Sequence, residues 1–148
     1  LHRNNRLDQV GKALIGDFGF MVLLDFPFIS ELEVLDLRNN SLTDEAVIAL
    51  SHSQKLKSLV SLNLSKNNIT DAGAKALAKS QNLKGLRMLN LNFNRIGDEG
   101  AKSIAESLVL EKLESLKLGQ NKIGVEGARA LNESENLKNL THPIFGFY

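Results

Sequence analysis

Leucine returns along this chain at a fixed interval. Leu32, Leu59, Leu86, Leu113 and Leu140 stand 27 residues apart, and each of the first four opens the same frame, L-x-x-L-x-L-x-x-N-x-(L/I). The frame is filled by Leu35-Leu37-Asn40-Leu42, Leu62-Leu64-Asn67-Ile69, Leu89-Leu91-Asn94-Ile96 and Leu116-Leu118-Asn121-Ile123. Its leucines alternate with other residues at period two, so they share one face, as in a strand. From Asp44, Asp71 and Asp98 the period lengthens toward 3.6. Ala46, Leu50 and Ser53, and again Gly73, Leu77 and Ser80, form the stripe of a helix. A strand, a helix and an equivalent strand join as a right-handed parallel crossover. Four such units without an insertion stack into an α/β fold, a right-handed solenoid with a parallel sheet on one face and helices on the other.

Smaller signals place the joints. Thr43-Asp44 and Thr70-Asp71 supply an N-cap side chain and a carboxylate for the helix dipole. Gly97-Asp98 keeps the carboxylate, whereas Gly124-Val125 has neither, so the fourth helix is expected to start less firmly. The small pairs Ala46-Val47, Gly73-Ala74, Gly100-Ala101 and Gly127-Ala128 let helix and strand layers approach. Asn40, Asn67, Asn94 and Asn121 sit where the chain leaves the strand. An amide there can donate to and accept from backbone groups that the turn leaves unpaired, so they read as a structural ladder and not as a reactive site.

The ends depart from the frame. "NRLDQVGKALI" (Asn5 to Ile15) aligns with "NRIGDEGAKSI" (Asn94 to Ile104), which implies a degenerate first unit with eight extra residues between Gly16 and Phe28. Leu140 opens a fifth unit that aborts, with Pro143 where leucine is expected. Three segments result: 1–31, a degenerate N-terminal repeat with an aromatic insertion acting as a cap; 32–139, the four regular repeats; and 140–148, the aborted repeat. Phe18, Phe20, Phe26, Phe28, Phe145 and Phe147 crowd into the end segments. They are expected to cover the terminal leucine layers or, alternatively, to dock a neighbour, end-to-end self-association included.

The frame resembles the leucine-rich repeat family. Its 27-residue helix-forming unit, with Asn and a G-A pair, is most similar to the ribonuclease-inhibitor-like subclass, which includes sensor regions of intracellular immune receptors and Ran GTPase-activating proteins. The resemblance covers residues 32 to 139. It implies a curved parallel sheet that binds protein partners on its concave face.

Composition narrows the function further. Lys+Arg exceed Asp+Glu by 18 to 17, so net charge alone gives no reason to expect nucleic acid or an anionic membrane as partner. The apolar run from Phe18 to Ile29 is too short to span a bilayer. The chain has no cysteine, which excludes disulfides and thiol chemistry and leans toward the cytoplasm. His2, His52 and His142 lack metal-ligand spacing. "GDFG" at Gly16 to Gly19 carries the kinase letters without the other kinase motifs. No catalytic residues, metal or cofactor are expected.

What remains is the outward strand face. Alternation puts three rows on it: Val34, Ser61, Met88, Ser115; then Asp36, Asn63, Asn90, Lys117; then Arg38, Ser65, Asn92 and Gly119. Loop positions Asn39, Lys66, Phe93 and Gln120 lie beside them. These rows and Phe93 are the expected partner-binding residues, with Phe93, next to Met88 and Asn92, as the hot-spot candidate. The alternative for Phe93 is a rung packed on the adjacent turn. Four or five strands about 4.8 Å apart make a sheet roughly 20 Å wide, short of the ~800 Å² a standard interface uses on each partner. The array is therefore expected to recruit loops or to belong to a longer solenoid. The expected function is a non-catalytic protein-interaction module. Its rivals are a GTPase activator delivering Arg38 and a structural spacer.

Overall fold

The strands are short because each regular coil contributes only three residues to the sheet, centred on the first leucine of its L-x-L motif. The computed structural model describes residues 6–7 and 15–145. Five strands, β1 (Arg6–Leu7), β2 (Val34–Asp36), β3 (Ser61–Asn63), β4 (Met88–Asn90) and β5 (Ser115–Lys117), form one parallel sheet in chain order. Leu35, Leu62, Leu89 and Leu116 pair in register, so an equal repeat length becomes an equal rung. Helices α1 (Gly16–Leu24), α2 (Asp44–His52), α3 (Asp71–Lys79), α4 (Asp98–Ala105) and α5 (Val125–Asn132) follow the strands one for one. Short 3-10 turns return the chain to the sheet at Pro27–Glu31, Gln54–Leu56 and Gln81–Leu83. The frame leucines and isoleucines of units one to three are buried between the layers, and Ile123 in the fourth is half-buried. Their burial is the main stabilising term, about 1.5–3 kcal/mol for each large side chain removed from water.

Three polar ladders run beside this core. In the first, Asn67 Oδ1 accepts the N–H groups of Asn40 (3.0 Å) and Leu42 (2.9 Å) in the preceding coil. Its Nδ2 donates to the carbonyls of Leu37 (3.1 Å), Leu64 (3.0 Å) and Ser65 (3.2 Å). Asn94 repeats the pattern from Ile69 N–H (3.0 Å) to the Leu64, Leu91 and Asn92 carbonyls. Asn121 does so from Ile96 N–H (3.0 Å) to those of Leu91, Leu118 and Gly119. Asn40 accepts from Ile15 N–H (3.3 Å) and donates to the Leu37 and Arg38 carbonyls.

The second ladder corrects two expectations. Each helix-start aspartate caps the next helix as well as starting its own. Asp44 Oδ1 accepts from Thr70 N–H (2.8 Å) and Gly73 N–H (3.0 Å). Asp71 accepts from Gly97 (2.7 Å) and Gly100 (2.9 Å), and Asp98 from Gly124 (2.7 Å) and Gly127 (2.9 Å). Helix α5 therefore begins in the same slot as its neighbours although Gly124-Val125 brings no cap of its own, because Asp98 supplies one from the preceding coil. The glycine inside each of helices α3, α4 and α5 is small for a local reason. A Cβ on Gly73, Gly100 or Gly127 would lie 2.5–2.7 Å from that carboxylate oxygen. In the third ladder, Ser80 and Ser107, placed just past the helices and not within their stripe, donate to the carbonyls of Ser51 and Ala78, both at 2.6 Å.

The first coil also differs from its expected alignment. Leu7 pairs with Leu35, and Ile15 N–H reaches Asn40 as Leu42 N–H reaches Asn67. Asp17 binds Thr43 N–H (2.8 Å) and the Thr43 hydroxyl, 27 positions ahead of the Asp44 bonds to Thr70. "GDFGFMVLL" is thus the helix of the first unit, and the eight-residue insertion is not there. Asn5 and most of the stretch that alignment made helical lie outside the described residues. Helix α1 is apolar nearly all round, and so it hides its period. Phe20 is buried in the core, while Phe18 is 82% exposed and Phe26 and Phe28 stack partly in the open, 5.9 Å apart. The N-terminal aromatics therefore do not cap as one cluster, since residues 18 and 20 face opposite sides of the same helix.

At the other end the sheet outlasts its last regular strand. Thr141 N–H donates to the Glu114 carbonyl (2.9 Å), and Leu118 N–H to that of Ile144 (3.1 Å), matching the Leu91 bond to Lys117. Phe145 is exposed, and Phe147 lies outside the described residues.

Candidate functional site

Side chains on the outward strand face have graded exposure. Met88 is 45% exposed and Arg38 is exposed, whereas Val34, Asp36, Ser61, Asn63, Asn90, Ser115 and Lys117 are half-buried along the sheet. Ser65 and Asn92 are a correction. Both are buried, because the chain has begun its turn by that row. The Ser65 hydroxyl donates to Asn63 Oδ1 (2.7 Å), and Asn92 Oδ1 accepts the Gly119 N–H (2.7 Å). Neither side chain is presented to a partner.

The middle row is held rigidly. Asp36, Asn63 and Asn90 each accept the N–H two residues on, from Arg38 (3.1 Å), Ser65 (3.0 Å) and Asn92 (3.0 Å). This Asx-type bond fixes the side chain before any partner arrives. Among the described residues, the Nδ2 groups of Asn63 and Asn90 have no acceptor and remain available as donors. The second Asp36 oxygen is taken by Arg38 Nε at 3.4 Å.

At the strand exits the backbone turns left-handed in every regular coil. Asn39, Lys66, Phe93 and Gln120 have φ of 55–57°. Asn39, Lys66 and Phe93 each donate their N–H to a carbonyl in the next coil: Ser65 (3.0 Å), Asn92 (2.9 Å) and Gly119 (2.9 Å). Asparagine tolerates this conformation; a bulky phenylalanine does so at a cost of about 1–2 kcal/mol. The Phe93 ring remains 51% exposed, with the Lys66 ammonium 5.8 Å from its centroid. It touches the adjacent turn and still offers half its surface to solvent.

Among the described residues there is no cluster of His, Cys, Asp and Glu able to hold a metal, and no helix long and apolar enough to cross a membrane. His52 and His142 are exposed, and His2 lies outside the described residues. A groove of about 490 Å³ runs between α2 and α3 on the helix side, lined by Ile48, Ser51, His52, Ala72 and Ala76 among others. Its serine hydroxyl is tied to the Ile48 carbonyl (2.7 Å).

Comparison with known proteins agrees with this architecture. The family model described as Leucine Rich repeats (2 copies) matches residues 30–74, and that described as Leucine Rich repeat matches 86–105 and 109–131. Among solved structures, the chain is similar to Leiomodin-1 Actin-Binding Site 2, with a TM-score of 0.66 and 16% identity over 93% of this chain and 80% of that one. It also matches an internalin (inlF) from Listeria monocytogenes, with a TM-score of 0.36 and 21% identity over 84% of this chain and 44% of that one. No curated protein matches the sequence. With both family models falling on the coils that the register and the polar ladders define, the chain belongs to the leucine-rich repeat family.

Proposed function

We infer that the chain is a non-catalytic protein-interaction module of the ribonuclease-inhibitor-like subclass, binding a protein through its concave strand face and adjoining loops. The observation that carries this reading is Phe93, an aromatic kept half in solvent at a backbone conformation that disfavours it. The repeat enforces that conformation at Asn39, Lys66 and Gln120 as well; what singles out Phe93 is a large apolar side chain held half in solvent in that slot, the kind of residue that anchors an interface. Met88 in the same coil adds a second exposed apolar contact, and Asn63 and Asn90 add fixed donors beside it. The contact set is Val34, Asp36, Arg38, Ser61, Asn63, Met88, Asn90, Phe93, Ser115 and Lys117. Cytoplasmic residence belongs to the same proposal and rests on the cysteine-free sequence.

The test is a comparison of partners recovered from host lysate by the wild type and by Met88→Glu/Phe93→Glu. Both positions are exposed, so the double variant should keep its circular dichroism and lose the partners. Identical recoveries would defeat the reading. The leiomodin fragment is named for actin binding, so actin pelleting with and without the double variant is a direct first assay. The rival GTPase-activator reading would be supported by stimulated nucleotide hydrolysis that is lost in Arg38→Ala and ended by the absence of stimulation of any GTPase.

A further inference from the structure

The four strand-exit turns read RNNSLT (38–43), SKNNIT (65–70), NFNRIG (92–97) and GQNKIG (119–124), with four cations and no carboxylate. At the opposite edge of the sheet, lysines and Arg87 are interleaved with Glu31, Glu33, Glu111 and Glu114, and Arg87 lies 3.5 Å from Glu114. A net charge of +1 therefore conceals a segregated edge. Backbone bonds align Arg95 and Lys122, whose N–H groups donate to the Ile69 and Ile96 carbonyls, both at 2.8 Å; Lys66 stands two positions earlier in its turn, in the slot of Phe93, and donates to the Asn92 carbonyl at 2.9 Å. Arg38 is paired with Asp36, but Lys66, Arg95 and Lys122 are exposed and make no ion pair among the described residues. The next carboxylates along the chain, Asp71 and Asp98, are bound to backbone N–H groups at the starts of α4 and α5, which offset their charge. Phe93 lies within this row, under the Lys66 ammonium.

We propose that this exit edge is the specificity element of the binding face, and that it receives an acidic, extended polypeptide segment carrying an apolar side chain beside its carboxylates. The proposal rests on the protein-binding reading and names the chemistry of the partner. Charge complementarity identifies the occupant. Arg95 and Lys122 stand in equivalent slots of adjacent coils, about 4.8 Å apart at the backbone, and with Lys66 in the coil before them they match carboxylates along roughly four or five residues of extended chain. Phe93 supplies the apolar contact between them. A nucleic acid fits less well, because the cations are few and the neighbouring face carries two neutral amides, Asn63 and Asn90, between Asp36 and Lys117.

The probe is a display library of short random peptides sorted on the immobilised protein. The expected pool is enriched in Asp and Glu around an aromatic or aliphatic residue. A synthetic peptide from that pool should bind at least about tenfold more weakly to Lys66→Glu/Arg95→Glu/Lys122→Glu, and progressively more weakly as salt rises. Circular dichroism and the thermal midpoint of the triple variant should match the wild type, since all three side chains are exposed. A pool without acidic enrichment, lost on Met88→Glu but indifferent to the triple reversal, would overturn this inference and leave the strand-face reading standing. Recovery of no peptide, or tighter binding of a short single-stranded oligonucleotide than of the acidic peptides, would also overturn it.

Discussion

Helices α1 and α4 occupy the same point of the repeat and treat their apolar residues differently. Helix α4 lies between α3 and α5 and buries Gly100, Ala101, Ile104 and Ala105 against its neighbours and the sheet. Helix α1 packs against α2, buries Phe20 alone and leaves Phe18 and Val22 exposed. Yet both coils make the same polar bonds: Asp17 reaches Thr43 as Asp98 reaches Gly124, and Asn40 holds Ile15 as Asn121 holds Ile96. Polar ladders define a coil wherever it has a neighbour on one side. Small interior residues are required where a preceding helix presses, at Gly127 of the last helix as at Gly100.

The largest test of this contrast lies within α1. Phe20→Ala should destabilise the protein by about 3–5 kcal/mol, the usual range for emptying an aromatic core site. Phe18→Ala, two residues away, should change stability by less than about 0.5 kcal/mol. Urea unfolding of the two variants checks this, and equal effects would mean that α1 is not docked by Phe20. Next comes the asparagine ladder. Asn67→Ala strands the buried N–H groups of Asn40 and Leu42, while the Leu37, Leu64 and Ser65 carbonyls each keep a second donor; it should cost about 2–4 kcal/mol, given ~1–3 kcal/mol for each unsatisfied buried group and partial relaxation. Asn121 is only half-buried, so water can replace part of what its amide supplies, and Asn121→Ala should cost visibly less. If the outer rung mattered as much as the inner one, bonding would have to outweigh burial in setting ladder strength.

The regular coils were legible in the sequence because four copies superpose, so each leucine and asparagine slot is supported by three others. The aspartates were half legible. Asp44, Asp71 and Asp98 mark helix starts, but their bonds cross to the next coil, a relation that local capping rules do not contain. A signal was available: glycine recurs 29 residues after each aspartate, at Gly73, Gly100 and Gly127. The first coil was misaligned because α1 is apolar on nearly every side and offers no stripe, although Asp17 keeps the 27-residue spacing to Asp44. On the binding face, strict alternation carried the third row one residue too far. Ser65 and Asn92 look outward in a strand, but their coils have by then entered the left-handed turn at Lys66 and Phe93. The charge row escaped notice because a total of +1 averages over both edges of the sheet.

The smallest expected effect is the most diagnostic, because its sign is at stake. In an isolated helix, Gly→Ala is favourable by about 1 kcal/mol. In α2, which has only the end helix α1 before it, alanine already occupies this slot as Ala46, fully buried. At Gly100 an added Cβ would lie 2.7 Å from Asp71 Oδ1, 2.7 Å from Ile96 Cγ2 and 3.1 Å from Ala74 Cβ. Gly100→Ala should therefore destabilise, by about 1–3 kcal/mol from overpacking and from displacing Asp71. The same substitution made in an Asp71→Ala background should cost less, since the carboxylate that the new methyl displaces is gone. A double-mutant cycle read by urea unfolding measures this coupling. A stabilising Gly100→Ala, or strict additivity with Asp71→Ala, would show that the glycine slot answers to helix propensity or to the sheet, and that the carboxylate of the preceding coil does not set its size.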